Sequence, residues 1–532
     1  MNPPMETPRA IRTARRQRLA DLLHRSAERV PDKLALVYGA SRLSFADLND
    51  KVNRTANALQ AKGVACGDHI ALLSHNSLGF VVTRFALARL GAVMVPINFM
   101  LNASEVAYIL ENGEVRGVIA EDALTSVADA AIAEAGITVK VRGAIREKLD
   151  ATPAGWDCML SWMEHADNTA PDADVDDDDP VQMMYTSGTE SRPKGVLLPA
   201  RSLYAQYASV IIDGEMTSDD IEVHSLPLYH CAQLDCFLTP DLYLGATSIV
   251  LPAADPGTIL KTIAAEKANK LFCPPTVWIA LLRHPDFDKT DLSTLKKGYY
   301  GASIMPVEII KEIARRIPDL RLFNFYGQTE MSPVATILKP EDQLRKLGSA
   351  GRPAINCETR VVDDNDQPVP TGTVGEIVHR SPHATLGYWK NDDKTAEAFR
   401  NGWFHSGDLG VIDDEGYLSV VDRKKDMIKT GGENVASREI EEVIFAHPAV
   451  SEVAVFGVPH PKWIEAVMAV VVARPGETVE ADAVIAYCRE KLAGYKAPKL
   501  VEVIDQLPKN ASGKVLKRDL RIRFADRAQT LG

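Results

Sequence analysis

The stretch Tyr185-Thr186-Ser187-Gly188-Thr189-Glu190-Ser191-Arg192-Pro193-Lys194-Gly195 gathers hydroxyls, glycines and a lysine directly after an apolar run. Glycines let backbone N–H groups turn toward an anion, hydroxyls add donors, and a lysine brings a mobile point charge to triphosphate oxygens. The pattern is not a Walker A loop, which needs a lysine followed by serine or threonine at a helix start; here Gly195 follows Lys194. The chemistry indicated is nucleotide phosphate binding by a different loop.

That residue order resembles the phosphate loop of the adenylate-forming superfamily, which includes acyl-CoA synthetases, peptide-synthetase adenylation domains and beetle luciferases. Further segments match the superfamily's motifs in order: Gly301-Ala302-Ser303, Asn324-Phe325-Tyr326-Gly327-Gln328-Thr329-Glu330, Trp403-Phe404-His405-Ser406-Gly407-Asp408, Asp422-Arg423-Lys424-Lys425-Asp426, Gly431-Gly432-Glu433-Asn434 and Leu507-Pro508-Lys509-Asn510-Ala511-Ser512-Gly513-Lys514-Val515. The resemblance spans nearly the whole chain. It implies that Thr186, Ser187, Gly188, Thr189, Glu190 and Lys194 hold ATP phosphates, and that Gly301, Ala302 and Ser303 pack along the adenine and acyl group. Asp408 would accept from the ribose hydroxyls, Arg423 would reach ribose or phosphate, and Lys514 would be the adenylation lysine.

Residue chemistry fits these roles. Tyr326, beside Phe325 and Gly327, can stack on a purine, and Asn324 can read its edge. Glu330, following Thr329, can hold magnesium with phosphate oxygens, with Thr186 as the other metal-side residue. Lys425 falls at the family's hinge, and Gly431, Gly432 and Glu433 resemble the loop that swings toward the pantetheine tunnel of coenzyme A. The sequence departs from the pattern at Glu190-Ser191, where Thr-Gly is commoner.

On the acyl side, Leu226-Pro227-Leu228-Tyr229-His230 resembles the segment whose histidine borders the acyl-adenylate, which makes His230 the substrate-side candidate. Amino-acid-activating relatives commonly carry aspartate next; Cys231 disfavours an amino-acid substrate. Leu234 stands where some long-chain fatty acyl relatives place a gating tryptophan. Tyr299, Tyr300 and Met305, flanking Gly301, are the expected apolar lining.

These residues need a large scaffold, and a chain of 532 residues is too long for one core. Composition is that of a globular enzyme, 46% apolar and 25% charged. A net charge of −12 argues against a nucleic-acid binder. The seven cysteines are scattered without metal-ligand or CxxC spacing, which fits a reducing compartment. With no apolar run long enough to span a membrane and no signal-peptide pattern, the expected location is cytoplasmic. Arg9, Arg12, Arg15, Arg16 and Arg18 read as a solvated arm.

The fold class expected is α/β. Helical stretches such as Ser44 to Leu59, opened by a Ser44/Asp47 capping pattern, alternate with strand-like runs Leu34 to Tyr38, His69 to Leu73, Ala92 to Val95 and Val181 to Tyr185. The acidic run Asp172 to Asp179 reads as an exposed linker. The alternation resumes with a helix over Ile259 to Lys267 and a strand over Lys270 to Cys273, and Gly375 to Val421 is β-rich. The tail holds helix Ser437 to Ala446, strands Val450 to Val458 and Ala466 to Ala473, and helix Ala481 to Lys491. This predicts a large N-terminal domain of layered α/β subdomains plus a β-rich subdomain, residues 1–422, and a small mobile α+β C-terminal domain, residues 423–532.

The resulting expectation is an ATP-, magnesium- and coenzyme-A-dependent acyl-CoA ligase for a medium- or long-chain fatty acid, with small molecules as partners and a homodimer left open. The alternatives are an aryl-CoA ligase, an enzyme loading an acyl carrier protein, a luciferase-type oxygenase, and a non-catalytic nucleotide binder.

Overall fold

A computed structural model of the chain describes residues 9–186, 192–510 and 513–528. Among them are four sheets. The first has the strand order Gly387–Tyr388, Lys194–Pro199, Pro180–Thr186, Val93–Ile97, His69–Leu73, Gly117–Glu121, Val141–Ile145 and Asp157–Cys158. Val93–Ile97, His69–Leu73, Gly117–Glu121 and Val141–Ile145 pair in parallel, and the first three are buried along their whole length. Helices cover both faces of such a sheet, so its strands read as unbroken apolar runs.

The second sheet runs Arg352–Pro353, Thr336–Leu338, Arg321–Tyr326, Lys297–Gly301, Lys270–Phe272, Ile221–His224, Thr247–Val250, Leu34–Tyr38 and Ser41–Ser44. Glu358–Val362, Gly375–Arg380, Phe404–Ile412 and Leu418–Arg423 form a third, antiparallel sheet. The fourth is built on Val450–His460 paired with Ile464–Ala473, and Leu500–Val503 joins its other side in parallel. The third sheet ends at Arg423 and the fourth starts at Ile428.

Local sequence explains local structure. Helix Phe45–Ala61 opens on a reciprocal cap, with Ser44 Oγ accepting from Asp47 N at 3.1 Å and Asp47 Oδ2 from Ser44 N at 3.0 Å. Helix Val307–Arg316 buries Ile309, Ile310 and Ile313 on one stripe and turns Glu308, Lys311 and Arg315 to solvent. Helix Leu78–Leu90 is buried almost throughout and lies in the main core with Phe45, Leu59 and Leu203.

The basic arm differs from the solvated reading. Arg16 pairs with Asp172 at 2.6 Å, and the buried Arg18 pairs with Asp21 at 2.9 Å. Asp177 accepts from the Gln17 amide at 2.9 Å. The arginine arm and the acidic run, each taken alone as exposed, are tied together by charge complementarity; the side chains of Arg9 and Arg12 lie outside the described atoms. All seven cysteines are free thiols. Among the described residues no helix is long and apolar enough to cross a membrane.

Candidate active site

Strands Pro180–Thr186 and Lys194–Pro199 form a hairpin in which Thr186 pairs with Lys194. Ser187, Gly188, Thr189 and Glu190 lie outside the described residues. Across the sheet edge, Tyr388 pairs with Val196. Its hydroxyl donates to Glu330 Oε1 at 2.8 Å, and the Lys194 ammonium lies 4.2 Å from its ring centroid. Burial, then the Glu330 charge, pushes the Tyr388 phenol well above its ordinary pKa, so it remains a donor. Thr186 and Glu330 offer hydroxyl and carboxylate oxygens, the hard donors that suit magnesium alongside phosphate. Tyr388 is missed by motif reading, because nothing near Gly387 marks a tyrosine that organises a lysine and a glutamate elsewhere in the chain.

The nucleotide side is built where strands Lys297–Gly301 and Arg321–Tyr326 end together, with Gly301 opposite Phe325. A Cβ on Gly301 would stand 2.4 Å from the Phe325 carbonyl oxygen, and one on Gly327 would stand 2.0 Å from that of Pro333. Only glycine fits either position. Ala302 has φ +62°, an uncommon conformation for a residue with a side chain, and Ser303 is exposed. Asn324 Nδ2 donates to Ser349 O at 3.0 Å.

Tyr326 Oη and Gln328 Nε2 both donate to Asp408 Oδ2, at 2.7 and 3.0 Å. Arg423 Nε lies 3.6 Å from the other oxygen, Oδ1, across the paired strands of the third sheet. One carboxylate oxygen is thus fixed from the protein side and the carboxylate is oriented before any ligand arrives.

Phe325, Tyr299 and Tyr300 are committed to the core. Phe325 and Tyr299 pack with Phe237, and Tyr299 Oη donates to Gly214 O at 2.6 Å. Tyr300 points to the opposite side of the sheet, its hydroxyl on Gln343 Oε1 at 3.0 Å, in a cluster that also holds Met305. Both faces of this strand are buried, so apolar character alone does not identify a lining residue. Leu234 is fully buried at the start of a π-helical turn, Leu234–Leu238.

A small cavity of about 10 Å³, room for one water, has His230, Gln233, Phe272, Pro274 and Ala302 among its lining residues; Tyr299, Tyr300, Met305 and Leu234 are not among them. His230 caps the helical turn beginning at Cys231, with Nδ1 accepting from Ala232 N at 3.1 Å. A neutral imidazole that accepts at Nδ1 carries its hydrogen on Nε2. Burial first, and then the charge of Lys514, lower the His230 pKa to about 4, so the ring is neutral near pH 7. Cys231 Sγ lies 3.4 Å from Thr329 Oγ1, which joins this turn to the Glu330 segment.

Lys514 arrives from the C-terminal part of the chain. Its turn is closed by Asn510 N donating to Lys514 O and Lys514 N donating to Asn510 Oδ1, both at 2.9 Å. Burial, then the positive charges of Arg423 and Lys425, lower its pKa to about 8 against the opposing pull of Asp408 and Asp426. The fold therefore brings His230, Asp408, Arg423 and Lys514 to one place, although they are far apart in sequence. Lys425 is exposed on the turn after Arg423, where Asp426 pairs with Arg521 at 2.9 Å. Gly431 and Gly432 adopt φ +61° and +88°, Gly431 N donates to Trp463 O at 3.0 Å, and Glu433 is exposed.

The helical segment after His230 is clamped by buried charge. Asp235 accepts from Arg84 at 2.6 Å, Gln182 at 2.7 Å and Tyr207 at 3.2 Å. Lys270 sits between Asp241 at 2.6 Å and Glu222 at 2.9 Å, with His224 alongside.

Against known proteins, a family model described as AMP-binding enzyme matches residues 23–389, and one described as AMP-binding enzyme C-terminal domain matches residues 439–514. The chain is 37% identical over 512 residues to a feruloyl-CoA synthase of Amycolatopsis sp, covering 96% of this chain and all of that one. It is 36% identical over 507 residues to an indoleacetate--CoA ligase of Aromatoleum aromaticum, covering 94% and 97%. Identity to a long-chain-fatty-acid--CoA ligase of Mycobacterium tuberculosis is 36% over 484 residues, covering 91% and 93%. ATP-bound MatB from Rhodopseudomonas palustris superposes with TM-score 0.88 at 30% identity, covering 96% and 100%. Apo MatB gives 0.75 at 31% identity with the same coverage.

Proposed function

For a chain that belongs to the AMP-binding enzyme family, and so ligates an acid to coenzyme A through an adenylate, we propose a specific division of labour and a specific class of acid. The observation that carries the reading is the convergence of Lys514, Asp408, Arg423 and His230.

In the first step a carboxylate oxygen attacks the α-phosphorus of ATP, the bond to the β-phosphate oxygen breaks, and pyrophosphate leaves. The Lys514 ammonium lies between carboxylate and α-phosphate and offsets charge developing at the transferring phosphoryl, an effect worth about 3–4 kcal/mol for a preorganised group. Asp408 receives the ribose hydroxyls, Arg423 the ribose or phosphate oxygens, and Tyr326 the adenine face. Lys194, together with Thr186 and Glu330, serves the phosphates; magnesium held there would neutralise the charge of the leaving pyrophosphate. In the second step the CoA sulfur attacks the acyl carbon, the acyl–phosphate C–O bond breaks, AMP leaves with its electrons, and the thiol proton passes to solvent. His230 donates from Nε2 to the acyl oxygen. Lys425 is the hinge, and the Gly431–Gly432 turn carrying Glu433 is the element presented to the pantetheine arm.

The acid proposed first is a compact aryl-bearing one. Support comes from Leu234 in place of a gating tryptophan and from the likeness to feruloyl- and indoleacetate-activating ligases. A medium- or long-chain fatty acid is the second reading, favoured by the comparable identity to a long-chain ligase. The test is CoA-dependent AMP release across aryl, arylalkyl and fatty acids, with Lys514→Ala alongside. AMP formed with aryl acids and lost in the variant supports the first reading; AMP confined to fatty acids supports the second. Adenylate formation with no thioester on adding CoA would move the acceptor to a carrier protein.

A further inference from the structure

We propose that Pro274 and Thr276 form the seat on which the Lys514 turn rests during adenylation, so that the wall of the acyl cavity and the position of the lysine are one mechanical unit. The proposal rests on the reading of Lys514 as the adenylation lysine.

Gly513, immediately before Lys514, has φ +80°, and a Cβ there would stand 2.4 Å from Thr276 Oγ1 and 3.5 Å from Pro274 Cγ. The backbone of the turn is therefore in close contact with the start of helix Pro275–Arg283, and glycine is the residue that permits it. Thr276 Oγ1 is buried and has no hydrogen-bond partner among the described residues. Two successive prolines fix the backbone at this point and make the seat stiff.

Pro274 also lines the cavity beside His230, with Phe272 and Ala302. One three-residue segment thus touches the acyl cavity on one side and the lysine turn on the other. A shift of Pro274 therefore shifts the Lys514 turn with it. Pro274 and Thr276 are positioning residues: they reach the reacting atoms only through Lys514.

The test uses the full-length protein in two half-reactions: acid-dependent exchange of pyrophosphate into ATP, and thioester formation from a supplied acyl-adenylate and CoA. Gly513→Ala is expected to lower exchange about a hundredfold, and Thr276→Ala alone several-fold. Gly513→Ala/Thr276→Ala is expected to regain about tenfold over Gly513→Ala, because the oxygen facing the new methyl is gone. Thioester formation should stay within about threefold of wild type in all three, which also reports that they are folded. The seat is wrong if the double variant is as slow as Gly513→Ala, since the loss is then backbone strain alone, or if thioester formation falls in parallel with exchange. Wild-type enzyme showing no acid-dependent exchange would overturn the adenylation reading and the seat with it. Failure of the seat alone differs, because the wild type then exchanges normally.

Discussion

The Tyr388 hydroxyl bonds Glu330 at 2.8 Å while the face of its ring holds the Lys194 ammonium. A hydrogen bond to a charged acceptor is worth about 1.5–3 kcal/mol and a cation over an aromatic face about 0.5–2 kcal/mol. Tyr388→Phe, which keeps the ring, is expected to raise the KM for ATP about tenfold. Tyr388→Leu should raise it further. Titration of ATP at several magnesium concentrations checks this, and equal KM values for the two variants would remove the ring from the account.

Lys514 is held at a pKa of about 8 by burial and by Arg423. The ammonium is the form proposed to act, so kcat/KM for adenylation is expected to fall as pH rises through about 8, in place of the ordinary lysine value. Bound ATP adds negative charge and should move the limb in kcat upward. The folded value lies below the unfolded one, so the lysine costs stability below about pH 8 and that cost is relieved as pH rises toward the unfolded value. A rate profile flat to about pH 10 would show that the proton on Lys514 is not required.

His230 both caps a turn and presents Nε2–H. His230→Asn can keep the cap through its side-chain oxygen while losing the ring donor, whereas His230→Ala loses both. Adenylate and thioester formation are expected to fall about 10- to 100-fold in both variants, with thermal stability lower by about 1 kcal/mol in His230→Ala only. Because burial and Lys514 depress the ring to about 4, no activity limb is expected near pH 6.5 from this residue.

Arg84 and Asp235 form an almost fully buried pair, at 1% and 0% side-chain exposure. Removing one partner strands the other charge in the core and costs about 3–5 kcal/mol. Asp235→Ala is expected to lower the denaturation midpoint sharply, and Asp235→Leu/Arg84→Met to recover most of the loss. Chemical denaturation of the three proteins decides it; a double variant no better than Asp235→Ala would mean that Gln182 and Tyr207, also bonded to Asp235, dominate.

Legibility in the sequence followed the range of the interaction. The Phe45–Ala61 helix and its cap, the Pro180–Thr186 strand and the Ala481–Lys491 helix are set by neighbours within a few residues, and their signals are plain. The chain's place in an adenylate-forming family was legible because its motifs are local strings. Tyr388 acting on Glu330, Arg84 on Asp235 and Thr276 on Gly513 are meetings between distant segments, and no window of sequence contains them. By type alone Tyr299 and Tyr300 suggest pocket lining, but on a strand buried on both faces an aromatic residue beside a site glycine is equally at home in the core. The arginine arm misled in part because Asp172, the partner of Arg16, lies far along the chain, although Asp21, the partner of Arg18, is only three residues away.

The pairing of Leu34–Tyr38 with Thr247–Val250 has a consequence for how the chain is made. Leu36 lies opposite Ser248 in the second sheet, while the strands that emerge from His69 to Cys158 belong to the first. A ribosome adding about 5–20 residues per second leaves the opening strand without its neighbour for roughly 10–40 s. During that interval Leu34–Tyr38 and the short Ser41–Ser44 strand beside it expose an unsatisfied edge, and the half-made protein depends on chaperones or on fast docking of its first helices to keep that edge from pairing with another nascent chain.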